Sequence, residues 1–117
     1  MKKRFLSVLL TGAALWASAG ATFAEVRIGV SLPLTGPGSG LGIPMNNGLK
    51  LWTDVIGGEK ITLIVLDDAT DPTKGVQNVR RFVGEEKVDL VLGSGATPVA
   101  AAMAAVAGAA QADTLAQ

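Results

Sequence analysis

The sequence predicts an α/β fold, a parallel sheet flanked by helices in the order βαβαβα, and three observations carry that expectation. Apolar stretches with strand-like character alternate with stretches of helical period along the chain. One of them, Ile61 to Leu66 (ITLIVL), is a near-continuous apolar run, as expected of a strand buried on both faces. Two junctions, Asp71-Pro72 and Thr97-Pro98, put a capping side chain directly before a proline, the combination that opens helices.

The elements follow in order. Glu25 to Ser31 alternates Val26, Ile28 and Val30 with charged or small residues, the period of a strand. Leu32 to Gly42 (LPLTGPGSGLG) is rich in glycine and proline and is expected to be a long, shaped loop. Pro44 then opens a predicted helix on which Met45, Leu49, Trp52 and Ile56 form one stripe, with Gly57-Gly58 as its stop and Trp52 in the core. The second strand, Ile61 to Leu66, ends in Asp67-Asp68. Neighbouring residues on a strand face opposite ways, so these carboxylates are expected to fix loops and not to share a metal ion.

Asp71-Pro72 starts the second helix, with Val76, Val79, Phe82 and Val83 as its apolar stripe, and Glu85-Glu86-Lys87 makes a charged turn. Val88 to Leu92 is the third strand, and Gly93-Ser94-Gly95-Ala96 a tight loop. The third helix is expected from Pro98 to about Ala107, with Thr97 as its cap. If the strands lie in the spatial order 2-1-3, the connections after strands one and three leave towards opposite faces. A crevice then opens between Leu32–Gly42 and Gly93–Thr97. Loop amides and the first-turn amides of the third helix converge there, which favours a carboxylate or a phosphate.

Residues 1–24 read as a cleavable secretory signal peptide. Lys2, Lys3 and Arg4 precede a short apolar stretch, Phe5 to Trp16, and small residues before Ala24 suit cleavage there, with Ala21 as the alternative. Removing these residues leaves seven basic against ten acidic residues over 93 positions, a formal charge of −3. That balance gives no support to nucleic-acid binding. The absence of cysteine and histidine removes thiolate metal sites, disulfides, the imidazole base and the usual zinc ligand. Gly36, Gly38, Gly40 and Gly42 follow a strand but fit neither the dinucleotide fingerprint, whose third glycine would fall on Leu41 or Ile43, nor a phosphate loop. Gly93-Ser94-Gly95 lacks the outer frame of a hydrolase nucleophile elbow.

Four pieces of the chain resemble the leucine/isoleucine/valine-binding group of periplasmic solute-binding proteins, which serve ABC importers. They are the signal peptide, RIGVSLPLTGPGSGLG, LIVLDDATDP and VDLVLGSGATP, in that order. The resemblance implies part of the first lobe of a two-lobed type I periplasmic binding fold, truncated after Val106, where the family continues into another buried strand. It further implies that the ligand carboxylate is held by the hydroxyl of Thr97 with main-chain groups of Gly95 and Ala96. Ser39, Gly40 and Leu41 would line the other side. Ser94 stands where the family usually has proline, so it competes with Thr97 for the hydroxyl role. The expected function is periplasmic capture of branched-chain amino acids or related small carboxylates for an ABC permease, with no catalytic residue, metal or cofactor. The alternatives are a non-functional truncated remnant and an exported hydrolase-like enzyme.

Overall fold

The computed structural model describes residues 24–115, so the predicted signal peptide lies outside the described residues except for Ala24. The elements are β1 (Glu25–Leu32), α1 (Ser39–Leu49), β2 (Val55–Ile56), β3 (Glu59–Asp67), α2 (Pro72–Gly84), β4 (Leu90–Leu92) and α3 (Thr97–Leu115). Among the described residues they build one sheet in the order β2-β3-β1-β4. β1 is parallel to both β3 and β4. The expected 2-1-3 arrangement of the three main strands is therefore present.

The period of β1 decides how the layers assemble. Ile28, Val30 and Leu32 point to one face and, with Leu63, Val65 and Leu92, pack against Leu49 of α1. The alternate positions Gly29 and Ser31 point to the other face, where α2 lies. A Cβ at Gly29 would fall 2.5 Å from the Phe82 ring, so the missing side chain is what lets α2 sit down on the sheet. Val79 of α2 then packs with Val99 and Met103 of α3, and all three are buried. A Cβ at Gly75 would meet Val99 at 2.5 Å, so α2 and α3 also approach closely. Helices thus cover both faces, α1 on one and α2 with α3 on the other.

The region 39–58 departs from the sequence expectation in three ways. α1 begins at Ser39, so the loop after β1 ends at Gly38 and not at Gly42. Low helix propensity is overridden by contact: Gly42 is buried against the Pro33 backbone, and a Cβ there would lie 2.1 Å from the Pro33 carbonyl oxygen. Pro44 sits inside the helix and not at its start. It leaves Gly40 without its usual amide donor, at a position where both residues are exposed to water.

The helix ends at Leu49, followed by tightened turn bonds from Leu51 N to Gly48 O and from Trp52 N to Leu49 O. Trp52 and Ile56 therefore lie outside it, 46% and 52% exposed, and Trp52 is not a core residue. Gly57-Gly58 stops no helix. With φ of 60° and 82° it forms the two-residue turn of the β2–β3 hairpin, a backbone shape glycine adopts without steric cost.

At the other end of the sheet the charged turn is tied to β1. Arg27 Nε donates to the Glu86 carbonyl at 2.8 Å, and its guanidinium pairs with the Glu86 carboxylate at 3.3 Å. Arg27 N also donates to Asp89 Oδ2 at 2.8 Å, and Asp89 N donates back to the Arg27 carbonyl at 2.8 Å. These bonds set the register in which β4 enters beside β1, with Ile28 opposite Leu90. β4 is shorter than expected, starting at Leu90, and α3 is longer, continuing past Ala107 to Leu115.

Candidate functional site: the crevice at the carboxyl edge of the sheet

β1 and β4 are neighbours, so the connections at their carboxyl ends start side by side: residues 33–38 lead into α1, and residues 93–96 into α3. Neither carries a charged side chain. The second of them approaches α1 itself at Gly95, where a Cβ would lie 3.1 Å from Met45 Sδ. Beside this contact an open apolar cleft of about 330 Å3 runs along the α1 face, lined by Val30, Leu32, Met45, Leu49, Trp52 and Leu92.

The start of α3 differs in detail from the predicted cap. The first helical bond runs from Ala100 N to the Ala96 carbonyl, so Ala96 is the cap position and Thr97 the first helical residue. Ser94 Oγ accepts from Ala96 N at 3.1 Å, which commits that hydroxyl to shaping the turn. Thr97 is exposed, and its side chain makes no hydrogen bond among the described residues. The Thr97 amide precedes the first helical bond, Pro98 has none and Val99 is buried against α2, so the surface of this 19-residue helix start offers the Thr97 amide and its free hydroxyl.

Ser39, Gly40 and Leu41 form the first turn of α1. Ser39 is half-buried, Gly40 exposed and Leu41 60% exposed. Ser39 N donates to Gly36 O at 3.2 Å and Leu41 N to Gly38 O at 2.9 Å. The structure therefore gathers Ser94, Gly95, Ala96 and Thr97 at one helix start, and Ser39 to Leu41 at another. The Gly95 contact with α1 falls at Met45, about one turn beyond Ser39–Leu41. Its spacing places Met45 on a helical stripe with Leu49; its proximity to Gly95 follows from the strand order and has no local signal.

The turn after β3 holds the loop after β1. Asp67 Oδ1 accepts from Leu34 N at 2.9 Å, Thr35 N at 3.2 Å and Ala69 N at 2.8 Å, and Oδ2 accepts from Thr35 Oγ1 at 2.5 Å. Asp68 points the other way, fully buried, where it accepts from Ser31 Oγ at 3.0 Å and Thr70 N at 2.9 Å. Asn78 of α2 completes this group, donating to Ser31 Oγ at 3.0 Å. The two carboxylates fix loops on opposite faces, as strand geometry requires. Among the described residues no group of three or more metal-ligating side chains occurs.

Removal from water raises the Asp67 pKa, but the bonds from Thr35 Oγ1 and the amides of Ala69, Thr35 and Leu34 together outweigh that and hold it below the ordinary carboxylate value. A carboxylate depressed in the folded state stabilises it above the unfolded pKa, about 3.9, and loses that contribution as pH falls through the lower folded value. Acidification below about pH 4 is therefore expected to lower the amide protection factors of Leu34 and Thr35 before the sheet melts. An Asp67→Asn variant should show low protection there at neutral pH with little further loss on acidification; an equal acid-induced loss of protection in both proteins would contradict the assignment.

A mostly parallel sheet, with the connections after β1 and β4 side by side at its carboxyl edge, places this chain among the open α/β proteins, in which small ligands sit at that edge. The chain belongs to the periplasmic binding protein family, whose sequence profile matches residues 25–114, and its fold is the α/β arrangement of the type I members. It is 36% identical over 90 residues to Leu/Ile/Val-binding protein homolog 2 of Brucella abortus (strain 2308), a match covering 72% of this chain and 24% of that protein.

Among solved structures, an extracellular ligand-binding receptor from Rhodopseudomonas palustris is similar with a TM-score of 0.73 and 45% identity, over 75% of this chain and 24% of the receptor. A solute-binding protein of an ABC transporter from Rhodopseudomonas palustris BisB5, solved in complex with 3,4-dihydroxybenzoic acid, is similar with a TM-score of 0.67 and 31% identity, over 71% of this chain and 24% of that protein. The chain thus spans about a quarter of the length of the relatives it matches.

Proposed function

We propose that the protein is the exported solute-binding component of an ABC importer, taking branched-chain amino acids or related small carboxylates and performing no catalysis. Residues 1–24 act as the signal peptide, residues 25–117 form part of the first lobe, and the ligand-loaded protein is read by permease subunits in the inner membrane. The observation that carries this reading is the exposed, unpartnered Thr97 hydroxyl beside the Thr97 amide at the start of α3, where the two connections that meet the sheet edge carry no charged side chain of their own. A carboxylate placed there is met by neutral donors and the positive end of the helix dipole.

The main chain at Gly95 and Ala96 completes that end of the site, and Ser39, Gly40 and Leu41 form its opposite wall. Ser94 contributes by shaping the turn, its hydroxyl being engaged by Ala96 N. The similarity to a protein solved with an aromatic acid supports the carboxylate as the shared chemistry across branched-chain and aromatic ligands. Export and permease recognition rest on the family relationship.

Thr97→Val in the mature protein is expected to weaken binding of leucine or benzoate by about 1 to 3 kcal/mol, roughly fivefold to 150-fold, with the thermal midpoint preserved because that hydroxyl holds nothing within the fold. Isothermal titration calorimetry measures this directly. Unchanged affinity would move the carboxylate away from Thr97.

A further inference from the structure

We infer that Thr70 is the positioning residue that sets the ligand-facing end of the loop between β1 and α1, an assignment that rests on the proposed binding role of Ser39, Gly40 and Leu41. Asp67 secures the beginning of that loop, at Leu34 and Thr35. Its far end has no side chain of its own to secure it: Gly38, the cap position of α1, makes no side-chain cap. Thr70 supplies the missing group from another element. Its Oγ1 accepts from Gly38 N at 2.9 Å and faces the Thr35 carbonyl at 3.5 Å, so one hydroxyl joins the two ends of the turn that precedes Ser39.

The Thr70 backbone is held in an unfavourable shape to do this. Ala69 and Thr70 have φ of 50° and 63°, left-handed values that are rare for any residue but glycine and rarer still for a β-branched one. Both are pinned by the carboxylates before them: Ala69 N donates to Asp67 Oδ1 at 2.8 Å and Thr70 N to the fully buried Asp68 at 2.9 Å. The fit is close on the other side as well. A Cβ at Gly36 would lie 2.5 Å from the Ala69 carbonyl oxygen, and one at Gly38 would lie 2.8 Å from Thr70 Oγ1. Glycine at position 70 would relieve the backbone, so a threonine there gains its place through the hydroxyl. The rigid β3–α2 turn thereby fixes where Ser39 to Leu41 begin.

The test compares the mature protein with Thr70→Val, Thr70→Gly and Thr70→Ser by hydrogen exchange over residues 36–42 and over 61–66, and by calorimetric titration with leucine and with benzoate. Loss of the hydroxyl in the valine and glycine variants should make exchange over 36–42 roughly fivefold to tenfold faster, with 61–66 unchanged and serine matching the wild type. The glycine variant separates the two roles of the residue: its thermal midpoint should hold or rise while the loop still loosens. Affinity for whichever probe binds should fall in the valine and glycine variants and return with serine. Unchanged exchange over 36–42 in those variants, or a loosened loop with wild-type affinity, would overturn the assignment. Failure of the wild-type protein to bind either probe would instead sink the transport reading, and the exchange data would still decide whether Thr70 sets the loop.

Discussion

Phe82→Ala is expected to destabilise the protein by about 3 to 5 kcal/mol, the range for emptying a fully buried aromatic site. Phe82 is 0% exposed, and its ring lies over Gly29, where β1 has no side chain of its own to fill the space. Truncation leaves a void bounded by strand backbone, which cannot collapse inward. The reciprocal change is also expected to be harmful, since a Cβ at Gly29 would fall 2.5 to 2.8 Å from three ring atoms. Combining Gly29→Ala with Phe82→Leu should therefore recover part of the cost of Gly29→Ala. Denaturant unfolding of the four proteins measures that coupling, and strictly additive costs would show that ring and glycine do not share one space.

Gly42→Ala is the second large effect, and it joins stability to the site. A Cβ at position 42 would lie 2.1 Å from the Pro33 carbonyl oxygen and 2.5 Å from its carbonyl carbon. The obstacle is backbone, so no rotamer change relieves it, and the first turn of α1 must lift from the sheet edge. A cost of about 1 to 3 kcal/mol or more is expected, with Ser39, Gly40 and Leu41 displaced along with the turn. Gly48→Ala in the same helix has the opposite expectation: nothing lies within 4 Å of its Cβ position, and the change should stabilise by about 0.4 to 1 kcal/mol through the unfolded chain. Thermal unfolding of the two variants separates contact from propensity. A Gly42→Ala protein as stable as the wild type would mean that α1 does not rest on Pro33.

The same glycines explain what could be read in advance. The strand order was legible because the proline-opened starts at Asp71-Pro72 and Thr97-Pro98 bound the crossovers. The apolar run Ile61–Leu66 overstates burial: it forms β3 as expected, but every residue in it is half-exposed, and the buried strand is β1. Residues 39–58 were not legible, because their pattern points the wrong way. SGLGIPMNNG is a poor helix former, and it is helical where Gly42 lies close against Pro33 and Leu49 packs on β1, contacts between residues far from adjacent. The spacing of Met45, Leu49, Trp52 and Ile56 matches a helical stripe that the chain abandons at Lys50, and Gly57-Gly58 serves a hairpin as readily as a helix stop. At the crevice, the convergence of donors at Ser94–Thr97 follows from glycine punctuation and the helix start. The division of labour does not: Ser94 shapes the turn while Thr97 stays free, a difference of hydrogen bonding that no spacing encodes. Loop-fixing by Asp67-Asp68 was foreseeable from strand alternation, whereas the bond from Gly38 to Thr70 joins residues 32 positions apart.

If a carboxylate is received at the start of α3, the backbone amides there should respond when the mature protein is titrated with leucine and benzoate, each compared with its carboxamide, leucinamide and benzamide. Large shifts at the amides of Ser94, Gly95, Ala96 and Thr97 with the acids, and none at the same concentration of the amides, are the expected result. Equal responses to acid and amide, or acid-specific shifts that leave residues 94–97 untouched, would contradict it.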